Sequence, residues 1–179
     1  MPRLSRYDEF SPSKQEREAF DCGREELNGW LVRFAGQATA NRDAVVFLLH
    51  EGRDILGFFS LSAGSVSRAQ AGAKLGKRAP EPVPMILVGR AAVDARFQGA
   101  GWGAELLRQA TLRALASADG IGARGIMLHA VDEPARSFYQ HHGFEESAIS
   151  PRLMFLSFAD VAETLRAVGE AGALEQRGE

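Results

Sequence analysis

Residues 93 to 104 read Val-Asp-Ala-Arg-Phe-Gln-Gly-Ala-Gly-Trp-Gly-Ala, with Gly99, Gly101 and Gly103 at alternate positions. An apolar run precedes this segment and an amphipathic one follows it, so the glycines stand at a strand-to-helix junction. Backbone N–H groups can converge there, and the helix end adds partial positive charge, which together bind anions. A phosphate-bearing ligand is the chemistry expected. A Walker loop is excluded, because no Lys-Ser or Lys-Thr follows these glycines. A dinucleotide pattern, G-x-G-x-x-G/A, is met literally by Gly99, Gly101 and Ala104, with Asp119 or Asp132 on offer as the ribose acid. Its context is wrong: the first glycine should sit at the very end of the strand, whereas Asp94 to Gln98 intervene, and one βαβ unit follows instead of two. A third pattern, Q/R-x-x-G-x-G/A, is met by Gln98, Gly101 and Gly103, and in a second register by Arg96, Gly99 and Gly101. A glycine-rich connection without a ligand is the bland alternative.

Other reactive side chains offer less. His50 and His129 fall at strand positions and His141 and His142 are adjacent on a helix, with no H-E-x-x-H or Cys/His spacing, so a metal site is not expected. Ser60, Ser62 and Ser65 lack a G-x-S-x-G setting, and the lone Cys22 reads as a packing residue. Phe138 and Tyr139 are neighbouring aromatics, either of which could belong to the core. Arg90 stands out as a charge inside a buried-type strand, where it needs a partner or a ligand.

The chain has 179 residues, 45% hydrophobic and 25% charged, with 21 basic and 23 acidic side chains. One domain over 1–179 is expected at this length, and disordered or collagenous classes are excluded. A single cysteine rules out an internal disulfide framework. No leader-like or membrane-spanning apolar stretch is present, so a cytoplasmic protein is expected. The net charge of −2 argues against a surface that binds nucleic acid throughout. The charge is unevenly placed, however. Arg68, Lys74, Lys77, Arg78 and Arg90 against Glu81 give +4 over residues 68 to 90, and residues 160 to 179 carry −3. Without interleaved aromatics the basic stretch would meet phosphates and not stacked bases, or be an ordinary solvated loop.

The elements that must position these residues follow from periodicity. Residues 1 to 20 read as polar and irregular, and 24 to 39 as one amphipathic helix. Ala44 to His50 and Ile55 to Ala63 form a hairpin, and 64 to 84 a long loop rich in small residues and proline. Met85 to Val93 is a strand buried on both faces. A helix follows the glycine turn and ends at Gly120 and Gly122. Arg124 to Val131 is a strand, Asp132 caps a short helix through His142, and Leu153 to Phe158 is the last strand. A weakly amphipathic helix and a frayed end, Gly169 to Glu179, close the chain. This is a mixed α/β (α+β) sandwich around one mostly antiparallel sheet flanked by helices.

Taken together, these segments resemble the GNAT superfamily of acetyl-CoA-dependent N-acetyltransferases. Gly89 to Leu107 looks like its motif A, Ile55 to Val66 like the preceding strand, and His129 to Ser147 like its motif B. With the early segment Cys22 to Leu31 and the basic-proline stretch, the pattern is similar to the toxins of bacterial GNAT/ribbon-helix-helix toxin–antitoxin pairs, over about residues 20 to 158. The resemblance implies a GNAT fold, acetyl-CoA as co-substrate, no metal, and acetylation of the α-amino group of aminoacyl-tRNA, which blocks translation. A GNAT acting on a small-molecule or protein amine, or a non-catalytic acyl-CoA-binding module, is the alternative. It further implies that N–H groups of Gln98, Gly99, Ala100, Gly101, Trp102 and Gly103 hold the pyrophosphate. Main-chain groups of Ala92 and Val93 would pair with the pantetheine arm or polarise the thioester. Tyr139 becomes the general acid, since a phenol of pKa about 10 is protonated at neutral pH and suits a thiolate leaving group. Arg90, Lys74, Lys77 and Arg78 are the expected RNA contacts. A ribbon-helix-helix antitoxin, a homodimer and no membrane complete the expected partners. No general base stands out, which favours α-amines, of pKa about 7.7 to 8.0, over lysine side chains at about 10.4.

Overall fold

The structure is a computed structural model and describes residues 1–177. Seven strands hydrogen-bond in the order β1-β2-β3-β4-β5-β7-β6 within a mixed sheet flanked by helices: β1 Arg3–Arg6, β2 Val45–Glu51, β3 Asp54–Val66, β4 Val83–Val93, β5 Gly125–His129, β6 Glu145–Glu146 and β7 Leu153–Ser157. The chain divides into two compact units, Met1–Ala63 with Leu87–Ala116, and Gly64–Ile86 with Ser117–Glu179.

In the first unit β1 and β2 pair antiparallel, as do β2 and β3, with Val45 opposite Leu61 and Glu51 opposite Asp54 across the tight turn. The hairpin is as the periodicity predicts, one residue shifted at its start. The 24 to 39 helix is instead two, α3 Glu25–Arg33 and α4 Ala35–Ala40. Phe34 leaves helical geometry between them (φ −120°) and turns out to solvent, while Leu31 and Ala35 stay fully buried. Both helices pack on a core of Phe10, Phe20, Val46, Leu48, Ile55 and Phe58. Nor is the N-terminal stretch irregular: it forms β1 and two short helices, α1 Tyr7–Phe10 and α2 Lys14–Ala19. Ser13 and Glu16 make a capping box for the second, and the Arg53 guanidinium pairs with Glu16 while lying 4.1 Å from the Phe10 ring centroid. One close approach bears on function. A Cβ placed on Gly57 of β3 would lie 2.9 Å from the carbonyl oxygen of Ala92 in β4.

In the second unit the largest departure from the sequence reading is residues 64 to 84. β3 continues to Val66, and α5 Arg68–Gly76 is helical on either side of a kink at Gly72 (φ +75°), its start capped by Ser67 with Gln70. Its apolar contribution is small, Leu75 alone being a large buried side chain, so no periodicity announces it. Polar ties hold it instead: the Ser147 hydroxyl donates to the Gln70 carbonyl at 2.8 Å, and the Gln70 amide donates to Ser150 at 3.2 Å. β5 and β7 pair antiparallel, and β7 also carries β6, which the sequence reading missed. A helix at Glu133–His141 is capped by the Asp132 carboxylate, which accepts from the Ala135 N–H at 2.9 Å, as predicted. The terminal helix runs Phe158–Arg177, so most of the end read as frayed is helical; Gly178 and Glu179 lie outside the described residues.

Candidate active site

The glycine turn lies in the first unit, between the end of β4 and a helix at Trp102–Ile121, here α6. Gly99 and Gly101 have φ of +78° and +86°, and no atom would meet a Cβ at either within 4 Å. The Phe97 N–H donates to the Asp94 carbonyl and the Glu105 N–H to the Gly101 carbonyl. Between them, among the described residues, no backbone N–H from Gln98 to Ala104 makes a well-formed hydrogen bond to another backbone group, beyond the weak local contacts of the turn itself. These exposed donors stand at the N-terminus of a twenty-residue helix. They fit a pyrophosphate, because orphan N–H groups and the helix dipole both favour an anion there. Gly99, Ala100 and Gly101 form the turn, Trp102 and Gly103 open the helix, and Ala92 and Val93 end β4.

Gln98 has a further part. Its side-chain amide donates to the carbonyls of Val93 at 2.8 Å and Cys22 at 3.2 Å. Asp94, which the sequence reading passed over, is 1% exposed and accepts from the Arg96 guanidinium at 2.9 and 3.0 Å. Burial works against its ionisation, but the Arg96 guanidinium and the N–H groups of Arg96 and Asp21 outweigh it and hold the carboxyl below its ordinary value. The available signal was an aspartate two residues before an arginine at a strand end, the start of a capped turn.

Tyr139 lies in the second unit, in the helix Glu133–His141. Its ring packs on Phe138 and Phe144, with centroids 5.4 and 5.6 Å away. Among the described residues no hydrogen bond engages its hydroxyl, so a buried carbonyl does not use it up. Burial pushes its pKa above the ordinary tyrosine value, which keeps the phenol protonated.

A model of the acetyltransferase (GNAT) domain matches residues 42–146. The chain belongs to the GNAT acetyltransferase family. It is 37% identical over 142 residues to a tRNA-acetylating toxin of Mycobacterium tuberculosis (strain ATCC 25618 / H37Rv), covering 79% of this chain and 86% of that one. It is also 25% identical over 163 residues to a probable toxin TacT of Sinorhizobium fredii (strain NBRC 101917 / NGR234), with 85% and 90% covered. Among solved structures it is similar to AtaT complexed with acetyl-methionyl-tRNAfMet, at a TM-score of 0.83 and 24% identity over 92% of this chain and 99% of that chain.

The basic residues expected beside a GNAT acetyl site separate into different situations. Lys74 is neutralised by Asp160 and Glu145, and Arg68 by Glu81. Both pairings are within the second unit; Glu81 is already counted against Arg68, and it is the pairing of Lys74 with acids outside residues 68 to 90 that makes the +4 count overstate the free charge. Lys77 and Arg78 are exposed, and among the described residues neither enters an ion pair. The guanidinium of Arg124 donates to the carbonyls of both at 3.1 Å, adding a third cation at this corner that sequence reasoning missed. In the first unit Arg90 lies 5.7 Å from the Trp30 ring centroid and donates to the Gly89 carbonyl at 2.9 Å. Its Nε is buried without a partner. His50 hydrogen-bonds Ser5 and the Gly52 carbonyl, a structural arrangement.

Proposed function

We propose that this chain transfers the acetyl group of acetyl-CoA to the α-amino group of an aminoacyl-tRNA and thereby blocks translation, as the toxin of a toxin–antitoxin pair. The observation that carries this reading is the 37% identity to the tRNA-acetylating toxin across 86% of its length. The site residues support it chemically. N–H groups of Gln98 to Gly103 take the pyrophosphate, and main-chain groups of Ala92 and Val93 hold the pantetheine arm or polarise the thioester carbonyl. The neutral amine attacks that carbonyl carbon, forming a C–N bond and a tetrahedral oxyanion. The oxyanion collapses with cleavage of the C–S bond. Tyr139 gives its phenolic proton to the departing thiolate, and the proton lost by the amine passes to solvent, from which the phenolate is reprotonated for the next turnover. Lys77, Arg78 and Arg124 meet tRNA phosphates, and Arg90 meets the acyl-bearing end of the RNA.

The partners of this reading are an aminoacyl-tRNA and a ribbon-helix-helix antitoxin, and its compartment is the cytoplasm. Among the described residues no helix is long and apolar enough to cross a membrane. Residues 1–179 act as one domain in this reading, since the family match over 42–146 draws on both units. The test is incubation of the purified chain with charged tRNA and acetyl-CoA, nuclease digestion and mass spectrometry of the released aminoacyl-adenosine. An added acetyl group on the α-nitrogen is the expected result. Acetylation of polyamines or peptides with none on charged tRNA would overturn it.

A further inference from the structure

The glycine turn has to be held open by something. Packing does not do it, because the Cβ positions of Gly99 and Gly101 meet nothing within 4 Å, and glycine carries the largest backbone entropy to lose. Hydrogen bonds around the turn lead instead to the chain just before α3. The Asp94 N–H donates to the Leu56 carbonyl at 2.8 Å, and the Asp94 carboxylate accepts from the Asp21 N–H at 3.1 Å. The Ala95 N–H returns a bond to the Asp21 carbonyl at 2.8 Å, so residues 21 and 94–95 are tied twice. On the other side of the turn, Gln98 joins the Cys22 carbonyl to the Val93 carbonyl. The Asp21–Cys22 corner is in turn fixed by Asn28 of α3. Asn28 Oδ1 accepts from the Cys22 N–H at 2.9 Å, and its Nδ2 donates to Asp21 Oδ1 at 2.8 Å. The same Asp21 oxygen takes the Gly23 N–H at 2.8 Å.

We infer that Asn28, Asp94 and Gln98 are positioning residues that form a latch from α3 through the Asp21–Cys22 corner to the pyrophosphate turn. Their task is to aim the turn's N–H groups for CoA. The latch gives a physical meaning to the first position of the Q/R-x-x-G-x-G/A pattern. Both N–H donors of the Gln98 amide are spent on carbonyls, and an arginine could supply the same two donors. A hydrocarbon of the same size could not. It also gives residues 21 to 28 a part in cofactor binding although they lie about 70 positions from the turn in sequence.

The inference rests on the reading of this turn as the CoA site, and the experiment separates the two. CoA is titrated calorimetrically into the full chain and into Gln98→Leu, Gln98→Arg and Asn28→Ala. Release of free thiol from acetyl-CoA in the presence of charged tRNA gives kcat and KM, and Tm is followed for each. Gln98→Leu raises the Kd for CoA and the KM for acetyl-CoA about tenfold, as expected for loss of about one hydrogen bond's worth of ordering. Asn28→Ala raises both about threefold to tenfold, and Gln98→Arg returns them to within about twofold of wild type. In Asn28→Ala, kcat at saturating acetyl-CoA holds while Tm falls only by the few degrees its two lost hydrogen bonds cost, a split that a merely structural role would not give. Unchanged CoA affinity in Gln98→Leu and Asn28→Ala, beside normal binding by wild type, overturns the latch alone. A parallel fall of kcat and Tm in both variants does the same. Absence of CoA binding by the wild-type chain overturns the cofactor reading and the latch with it.

Discussion

Replacing Gly101 with alanine isolates the contribution of backbone geometry to cofactor binding. Gly101 has φ +86°, and a Cβ there meets no atom within 4 Å, so the substitution brings no clash. What remains is the left-handed conformation itself, which costs an L-residue about 1–2 kcal/mol. Two responses are open to the chain. The turn can keep its shape and lose stability, or relax to negative φ and turn N–H groups away from their common target. The turn is exposed and its donors make no well-formed backbone bond in the chain, so relaxation meets little resistance and the cost falls on the ligand. With RT about 0.6 kcal/mol, a 1–2 kcal/mol penalty is about a fivefold to thirtyfold rise in the Kd for CoA. Gly120 is the control. It lies inside α6 near its end, its φ is not in the left-handed range, and a Cβ there also meets nothing. Gly120→Ala should leave CoA binding unchanged and raise stability by about 0.5–1 kcal/mol. Titration calorimetry with CoA and thermal unfolding of both variants give the comparison. A Gly101→Ala chain that binds CoA within twofold of wild type would refute the assignment of this turn to the pyrophosphate.

Other perturbations test other parts of the site. Tyr139→Phe keeps the ring contacts and breaks no hydrogen bond among the described residues, so Tm should stay within a degree or two while kcat falls about 10²–10⁴-fold; thiol release measured at saturating substrates checks this. Burial raises the Tyr139 pKa, so kcat/KM should climb as the α-amine deprotonates near pH 7.7–8.0 and show no decline before about pH 10; a pH–rate profile reads both limbs. Lys77→Ala with Arg78→Ala should raise the KM for charged tRNA and flatten its salt dependence by up to about two charges, whereas Lys74→Ala, whose charge is already neutralised, should barely change the slope. The Asp94 carboxyl is held below its ordinary value, so its stabilising contribution is complete above about pH 4 and is lost as pH falls through the lowered value. The stability gap between wild type and Asp94→Asn should therefore stay constant from pH 7 to 5 and close only in stronger acid.

Where a side chain's burial is periodic, the sequence is readable. β2, β4 and α6 were predicted nearly to their ends, and β3 to three residues short of its end, because alternating or continuous apolar runs and a helical stripe announce them. The glycine turn was readable for another reason: glycine takes the positive φ of positions 99 and 101 without the cost an L side chain carries there. Arg68–Gly76 escaped because polar bonds from Ser147, Ser150, Asp160 and Glu145 hold it in place of an apolar stripe, and such partners are distant in sequence. The same distance hid the pairing of Lys74 and therefore inflated the free positive charge. Asp94 and Asn28 were missed because their meaning lies in bonds to backbone atoms of Asp21 and Cys22, which composition and spacing do not record. Tyr139 could be singled out by family resemblance, but the state of its hydroxyl depends on its surroundings in the fold.

The approach of Gly57 to the Ala92 carbonyl has a consequence for inheritance. Every substitution at position 57 adds a Cβ, and each would press on the same backbone oxygen 2.9 Å away, in the residue just before Val93. Size and polarity of the new side chain are secondary to that shared displacement. In a saturation scan read by CoA binding, position 57 should therefore give a uniform column of losses. The neighbouring strand positions should be graded by hydrophobicity and volume. A lineage carrying this strand arrangement can vary exposed charges without touching this packing, yet residue 57 is held to glycine by a backbone oxygen that no choice of side chain can avoid.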